Sequence, residues 1–316
     1  MAAGADDGTL IRETTARLLV AVRQASLGRG HRRSLLHATG MDLSSTERWI
    51  VHAVPGAALV PIEQVTRDLG SSAPVVSRAC SQLVEAGHLV RIADPRDRRR
   101  VLIGLTDEAA EALREWDLGW PRPYLEAVAD WSSADVDRLE TWLRLVVTDL
   151  GAGRGDPHAP QPATAGSPRP VFETTIRRLV PLAGRVAPVV ATAPGASAAV
   201  AETEFHLLLS LAQGGSLTTG ELAAGTDTDT ALARRRLRAL ADQGLVQSSR
   251  GEGRGSEHWR LREPGDTVVT HTLRRLASQL PPPPDPLVGA GLHRLVAAFT
   301  TAMLHSIHDR SAADRP

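Results

Sequence analysis

Two short apolar runs place the strongest constraint on the fold of this chain. HLVRI at residues 88–92 and VLIGL at 101–105 are separated by an arginine-rich turn at 93–100. Apolar runs of this length, bounded by turn residues, are typical of strands, and so short a connection pairs them as an antiparallel hairpin. A helical pattern that stops at Gly87 comes directly before the hairpin. The fold must therefore place a two-stranded hairpin against the end of a helix.

The residues before this hairpin predict three helices. The SSTE sequence at 44–47 is a capping box, in which Ser44 caps a helix and Glu47 reaches back to the cap. Pro61 opens a short second helix. Pro74 lies in the first turn of the third helix, where its missing N–H costs nothing. A helix, a short helix, a helix and a hairpin together form a winged helix-turn-helix.

Such a unit would present residues 72–82 to a groove of DNA and the turn at 93–100 to the flanking backbone. Further helices are predicted at residues 9–27, after Thr106 and from Ser132. The arginine-rich turn is thus explained as a wing.

An internal repeat extends this interpretation to the second half of the chain. Residues 47–91 align with 204–248 without a gap, and the apolar pattern and the closing glycine persist although identities are few. The aligned pairs include Glu47 with Glu204, Ile50 with Leu207, Val65 with Leu222, Arg78 with Arg235, Cys80 with Leu237, Leu83 with Leu240 and Gly87 with Gly244.

The sequence therefore predicts a mainly α fold with small β-hairpin wings, arranged as two tandem winged helix-turn-helix domains with helical dimerisation elements. The first domain is expected at residues 1–150 and the second, diverged one at 171–316. Residues 151–170 are rich in Pro, Gly and Ala and read as a linker.

The charge and the motifs of the sequence limit the classes of function that it can have. The formal net charge is zero, so any contact with nucleic acid must come from local basic clusters. There is a single cysteine, no apolar run near the roughly 20 residues that a bilayer span needs, and no signal-peptide pattern, so we expect a cytoplasmic protein without membrane contact. The sequence has no phosphate loop, nucleophile elbow or HExxH motif, and His31, His37 and His52 lack carboxylates at ligand spacing. We predict no enzyme activity, cofactor or metal site.

The run ADPRDRRRVLIGLT at 93–106 is similar to the wing of the MarR family of bacterial transcription regulators, where D-P-x-D-R-R precedes a strand ending in Leu-Thr. Residues 69–91 resemble that family's recognition helix. The resemblance covers 9–150 and, more loosely, 171–308. It implies a dimer with interlocking first and last helices, two winged domains on successive major grooves, and effectors, often phenolic or lipophilic acids, beside the dimerisation helices.

The resemblance also implies DNA contacts in the first copy. Arg78 has the donors to bind a guanine edge bidentately. Asp97 would orient Arg99 toward the minor groove, while Arg96 and Arg98 would contact phosphates. The expected contacts are Ser72, Ala73, Pro74, Ser77, Arg78, Arg96, Asp97, Arg98 and Arg99.

In the second copy, Asp229 is expected to cap the recognition helix, and glycines replace the Asp/Arg pair of the wing. The expected DNA contacts there are Thr230, Arg234, Arg235, Arg238, Arg250 and Arg254.

Aromatic residues raise the question of an effector site. Trp49, Trp116, Trp120 and Tyr124 could line a pocket for a small aromatic or lipophilic effector, although large aromatics at helical spacing are more often core. Cys80 aligns with a leucine and is expected to be a core thiol and not a redox sensor.

The leading hypothesis is a DNA-binding transcription regulator, a repressor, that acts as a single-chain pseudodimer on double-stranded DNA with an imperfect palindromic operator and is released by a small effector. One alternative is a homodimer that pairs the amino-terminal copies of two chains. Another is a ligand-sequestering or protein-interaction protein whose DNA-binding domains have degenerated.

Overall fold

The computed structural model describes residues 2–27, 29–54, 58–69, 71–97, 100–119, 121–152, 167–183, 202–226, 228–250, 257–288 and 291–313. These residues divide into two compact units. The amino-terminal unit takes those within 31–185 and 301–307, and the carboxyl-terminal unit takes those within 1–30, 186–300 and 308–316.

Helices dominate both units, and each hairpin gains a third short strand. The elements up to residue 183 are α1 (Ala2–Leu27), α2 (Arg29–Thr39), α3 (Ser45–Ala53), β1 (Val60–Pro61), α4 (Ile62–Leu69), α5 (Ala73–Glu85), β2 (Leu89–Ala93), β3 (Val101–Leu105), α6 (Asp107–Gly119), α7 (Arg122–Glu126), α8 (Ser133–Ala152) and α9 (Pro170–Ala183). The later elements are α10 (Glu202–Gly214), β4 (Ser216–Thr218), α11 (Thr219–Gly225), α12 (Thr230–Asp242), β5 (Val246–Arg250), β6 (Glu257–Leu261), α13 (Glu263–Ala277), a 3-10 turn (Asp285–Leu287) and α14 (Leu292–Ala313). The prediction of a mainly α fold with small β wings is confirmed.

In the amino-terminal unit, the predicted hairpin forms, with Leu89 opposite Leu105 and Ala93 opposite Val101. The strand order is β1-β3-β2, because the two residues of β1 pair with the far side of β3. The sequence analysis did not predict β1, since two residues are too few to show an alternating pattern.

Helix α5 lies against the core through one stripe of side chains, spaced at three and four residues. Gly87 then takes a φ of 76°, which favours glycine and ends the helix before β2. Burial raises the pKa of the Cys80 thiol to about 11, as expected for a core cysteine. The buried residues of the stripe are Val76, Ala79, Cys80 and Leu83.

The carboxyl-terminal unit has a sheet of the corresponding order, β4-β6-β5. Trp259 on β6 is buried, and its indole Nε1 donates to Thr219 Oγ1 at 3.0 Å, which ties the sheet to α11. Helix α12 buries Ala233, Leu237 and Leu240. The packing of this unit is therefore built from a helix stripe and a sheet, as in the amino-terminal unit.

Helix α1 belongs to the carboxyl-terminal unit, where it packs along α13. Gln24 Nε2 donates to the carbonyl oxygen of Gly225 at 2.6 Å, and Arg274 lies 3.6 Å from the carboxylate of Glu13. The first helix of the chain thus completes a unit whose remaining elements lie about two hundred residues away in sequence.

Helix α9 belongs to the amino-terminal unit, where it packs along α8. Thr175 Oγ1 donates to Glu140 Oε1 at 3.3 Å. Arg177 and Glu173 form an ion pair at 2.7 Å, and both side chains are almost fully buried. The compact units consequently differ from the contiguous sequence segments 1–150 and 171–316, because each unit includes the first helix of the other segment.

The remaining predictions from the sequence concern a helix cap, the linker and membrane-spanning helices. The capping box of Ser44 and Glu47 forms as predicted, whereas α2 was not predicted. Most of the linker predicted at 151–170 lies outside the described residues. No helix in the described part of the chain is long and apolar enough to cross a membrane.

Candidate nucleic-acid interface

The outer face of helix α5 carries the first predicted contact set. Ser72 precedes the helix without a side-chain capping bond. Ala73, Pro74 and Arg78 are exposed, while the Ser77 hydroxyl is partly buried. This arrangement brings these predicted residues together on the solvent side of the helix, opposite its buried stripe.

Hydrogen bonds to Asp94 and Asp97 close the turn between the two strands of the first wing. Asp94 accepts a hydrogen bond on its carboxylate from the Arg96 backbone N–H at 2.9 Å, and its own N–H donates to the Arg100 carbonyl at 2.9 Å. The Arg100 N–H donates to the Asp97 carbonyl at 2.8 Å. The side chains of Arg96, Asp97 and Arg100 are exposed. These hydrogen bonds close the turn that carries the exposed Arg96 and Arg100.

The predicted contacts Arg98 and Arg99 lie outside the described residues, so the expected orientation of Arg99 by Asp97 stays a prediction.

Helix α12 is the more basic of the two candidate recognition helices. The Asp229 carboxylate accepts from the N–H groups of Ala231 and Leu232 and caps the helix, as predicted. Among the described residues, no ion pair engages the exposed guanidinium groups of this helix. The exposed predicted contacts here are Thr230, Arg234, Arg235 and Arg238.

A fourth arginine of α12 has a different environment. Arg236 is partly buried, and desolvation lowers the pKa of its guanidinium, an effect that the carboxylate of Glu204 opposes. It is therefore less exposed than Arg234, Arg235 and Arg238, which are the outward cations of this helix.

The second wing is only partly described. Strands β5 and β6 pair from Val246 opposite Leu261 to Arg250 opposite Glu257. Arg250 ends β5, and the predicted contact Arg254 lies in the turn outside the described residues.

Three of the four aromatic residues predicted to line an effector pocket are buried. Trp49, Trp116 and Tyr124 expose between 4 and 7% of their surface, so each takes part in the core. Burial raises the pKa of the Tyr124 phenol. The fourth predicted member, Trp120, lies outside the described residues.

Trp116 forms a cluster with two histidines that the sequence analysis had considered only as metal ligands. The His31 ring meets the indole edge to face with centroids 4.9 Å apart, and the His52 ring lies 5.5 Å from it. The two imidazoles are 5.9 Å apart. Helices α2, α3 and α6 thus converge on one indole, which we call the Trp116 cluster.

Burial within the Trp116 cluster affects the protonation of His31. His31 Nε2 is buried without a hydrogen-bond partner among the described residues. Desolvation, followed by the charges of His52 and the buried Arg48, holds the pKa of His31 well below its ordinary value. At neutral pH the cluster therefore places the neutral imidazole of His31 against the indole of Trp116.

A comparison with known families adds an independent observation. The MarR family model matches residues 200–253. This match supports membership in the MarR family, and it spans α10, α11, α12 and β5. MarR family regulators bind DNA and usually dimerise, and the match suggests a DNA-binding transcription regulator. No curated protein matches the chain.

The MarR match falls in the part of the chain where the sequence analysis found the looser resemblance. It includes Thr230, Arg234, Arg235, Arg238 and the strand that ends at Arg250. The winged helix of the carboxyl-terminal unit thus carries the family match, while the Arg-rich wing at 93–100 carries the motif resemblance.

The sequence did not predict that His31 and His52 lie beside Trp116, with Arg48 acting on the charge of His31. Arg48 and His52 stand four residues apart in α3, which places them on one helix face. That spacing was the available signal. The approach of His31 from α2 depends on a helix that was not predicted.

Proposed function

We propose that this protein is a transcription repressor that binds duplex DNA as a single-chain pseudodimer built from two tandem winged helix-turn-helix copies. The observation that carries the proposal is the exchange of first helices. Helix α1 packs in the unit of the second winged helix, and α9 packs in the unit of the first. The MarR resemblance implies a dimer with interlocking first and last helices, and here α9, the first helix after the linker, packs along α8, the last helix before it.

The boundaries of the elements support a duplication. Helices α5 and α12 each have 13 residues, and a strand of five residues follows each helix after a glycine with positive φ. We therefore assign residues 1–150 and 171–316 to two copies, joined by 151–170, although the folded units exchange their first helices.

DNA would be bound by two unlike recognition helices. The outward arginines of α12 supply donors for guanine edges and phosphates, whereas α5 supplies Arg78 beside small and apolar groups. Unlike helices require unlike half-sites, so the operator is an imperfect palindrome. Arg96, Asp97, Arg98 and Arg99 of the first wing would follow the backbone.

The Trp116 cluster is the proposed effector site. Trp49, Trp116, Trp120 and Tyr124 would contact a small aromatic or lipophilic ligand there. Binding releases DNA if the ligand stabilises a conformation whose helix spacing no longer matches the grooves.

The first test is the mass of the complex in solution. Light scattering of the protein, alone and with a duplex from upstream of its own gene, should give one chain per duplex. Two chains per duplex would support the homodimer alternative, and no complex at low salt would contradict a regulator of that promoter.

A second test separates DNA contact from general charge. Arg235→Ala should lower the affinity for the duplex and reduce the slope of log affinity against log salt by about 1, as expected when one phosphate contact is lost. Arg294→Ala is the matched control, because Arg294 is an exposed arginine on α14. Equal effects of the two substitutions would contradict the proposed interface.

One observation favours the protein-interaction alternative. Leu59, Val90 and Ile92 expose 40–43% of their surface on the first sheet. A Cβ on Gly104 would lie 2.7 Å from Leu59, so the glycine leaves room for that leucine to cover the sheet. An exposed apolar sheet face of this kind is a common docking surface. If Leu59→Ser changes the mass in solution but leaves DNA affinity unchanged, the apolar sheet face serves association and not DNA binding.

A further inference from the structure

Val75 is an apolar side chain on the outer face of helix α5, and the core does not explain its presence. It exposes 47% of its surface, while its neighbour Val76 is fully buried and forms part of the helix stripe. A β-branched residue on an exposed helix position carries a small cost in helix propensity. Single exposed apolar residues are common, so the neighbours of Val75 decide whether the exposure matters.

The neighbours of Val75 at the start of α5 are small or apolar. Ala73 and Pro74 are also exposed, and Ser72 makes no capping bond with its side chain. Arg78 stands three residues after Val75 and is exposed as well. Side chains three residues apart on a helix lie on one face, about 5–6 Å apart at their Cβ atoms. A surface that packs against this face of α5 can therefore contact Val75 and Arg78 together.

The carboxyl-terminal helix differs at these positions. Leu232, which aligns with Val75, is less exposed, and the outward face carries Arg234, Arg235 and Arg238. The two helices thus offer different chemistry to a major groove: one offers methyl groups beside a single guanidinium, and the other offers three guanidinium groups.

We infer that Val75 reads the C5 methyl group of a thymine in the operator, next to a base pair that Arg78 contacts. In the major groove, thymine differs from cytosine by a methyl group and a carbonyl oxygen, and apolar side chains recognise the methyl. This inference rests on the proposed DNA-binding function and specifies it further. The half-site bound by α5 contains an essential thymine, while the half-site bound by α12 is rich in guanine on its contacted edges.

The experiment uses the full-length protein and a random duplex library. Repeated selection yields a consensus site, and each thymine of that site is then replaced singly by deoxyuridine, which lacks only the methyl group. Replacing the thymine opposite α5 should weaken binding about fourfold, the factor that corresponds to burying one methyl-sized group.

The variant Val75→Ala connects the methyl group to the side chain. It should bind the thymine and deoxyuridine duplexes equally, because the side chain that contacts the methyl group has been shortened. Leu145→Ala is the matched control: Leu145 is also exposed and apolar in the same unit but lies on α8, so this variant should keep the fourfold preference. Both substitutions are at exposed positions, and a thermal melt of each variant verifies its folding.

The outcomes separate this inference from the proposed function. A selected site that tolerates deoxyuridine at every position, or a Val75→Ala variant that keeps the preference, overturns the inference and leaves DNA binding intact. If no duplex is enriched, the result contradicts both the thymine contact of Val75 and the proposed DNA binding. A Val75→Ala variant that changes the mass in solution but not the thymine preference assigns Val75 to a protein contact and likewise overturns the inference.

Discussion

At the scale of single residues, His31 shows how its surroundings set a protonation state. The pKa of its imidazole is held well below the ordinary 6.5 by burial and by the charges of His52 and Arg48. Above pH 6.5 the ring is neutral in the folded and the unfolded chain. As the pH falls through 6.5, the unfolded chain binds a proton that the folded chain does not, so the folded state loses stability.

We therefore expect the free energy of unfolding to fall between pH 6.5 and 5, with a contribution from His31 of up to about 1.4 kcal/mol per pH unit. His31→Gln should remove that contribution, which urea unfolding across this pH range measures. His37→Gln on the same helix is the control, because His37 is exposed. An unchanged pH dependence in His31→Gln would show that the ring is solvated in the folded protein.

The ion pair of Glu173 and Arg177 supplies a second prediction at this scale. Both side chains are almost fully buried, so Glu173→Gln leaves the guanidinium in the core without its charge partner. We expect a loss of about 3–5 kcal/mol, measured by urea unfolding. Glu111→Gln, in the exposed pair with Arg114, should leave the unfolding midpoint unchanged. Comparable losses of stability in Glu173→Gln and Glu111→Gln would mean that the ion pair of Glu173 and Arg177 is not desolvated.

At the scale of elements, the start of α13 depends on close contact with Leu245, the residue directly before β5. Gly265 is buried, and a Cβ at that position would lie 2.2 Å from the carbonyl oxygen of Leu245. The same oxygen accepts the N–H of Arg262 at 3.0 Å, so it cannot move away without losing this bond. The backbone of the first turn of α13 is therefore fixed against the end of α12.

Gly265→Ala should consequently destabilise the protein by about 1–3 kcal/mol, the usual cost of overpacking. Gly225→Ala is the matched control, because nothing lies within 4 Å of a Cβ there and alanine favours helix. Thermal unfolding of the two variants should shift in opposite directions. A neutral Gly265→Ala would indicate that α13 can move relative to β5.

At the scale of the whole molecule, the exchange of first helices connects distant parts of the sequence. Leu18 of α1 is fully buried, and α1 packs along α13. A cavity in α1 should therefore weaken a unit whose other elements are encoded in the second half of the chain.

Leu18→Ala should cost about 2–5 kcal/mol and increase hydrogen exchange in Glu263–Ala277, while Ala73–Glu85 keeps its protection. Leu10→Ala on the same helix should change neither, because Leu10 is 43% exposed. Hydrogen exchange measured by mass spectrometry compares the two segments. Loss of protection in Ala73–Glu85 alone would contradict the assignment of α1 to the carboxyl-terminal unit.

Local signals in the sequence determined much of this protein. The capping residues Ser44 and Asp229 and the glycines Gly87 and Gly244 mark the ends of helices, and the structure has helix ends at those places. The two apolar runs of the first hairpin likewise became paired strands. These features were predictable because capping, turn conformation and apolar period act over a few residues.

The tertiary structure decided the rest. The sequence could not indicate that α1 packs on α13 or α9 on α8, because an amphipathic helix buries its apolar stripe against any complementary surface, whatever the separation in sequence. Nor could it assemble His31, His52 and Trp116, since three helices must converge before these rings meet. Local order is encoded locally, whereas the partner of each helix is selected by packing across the folded chain.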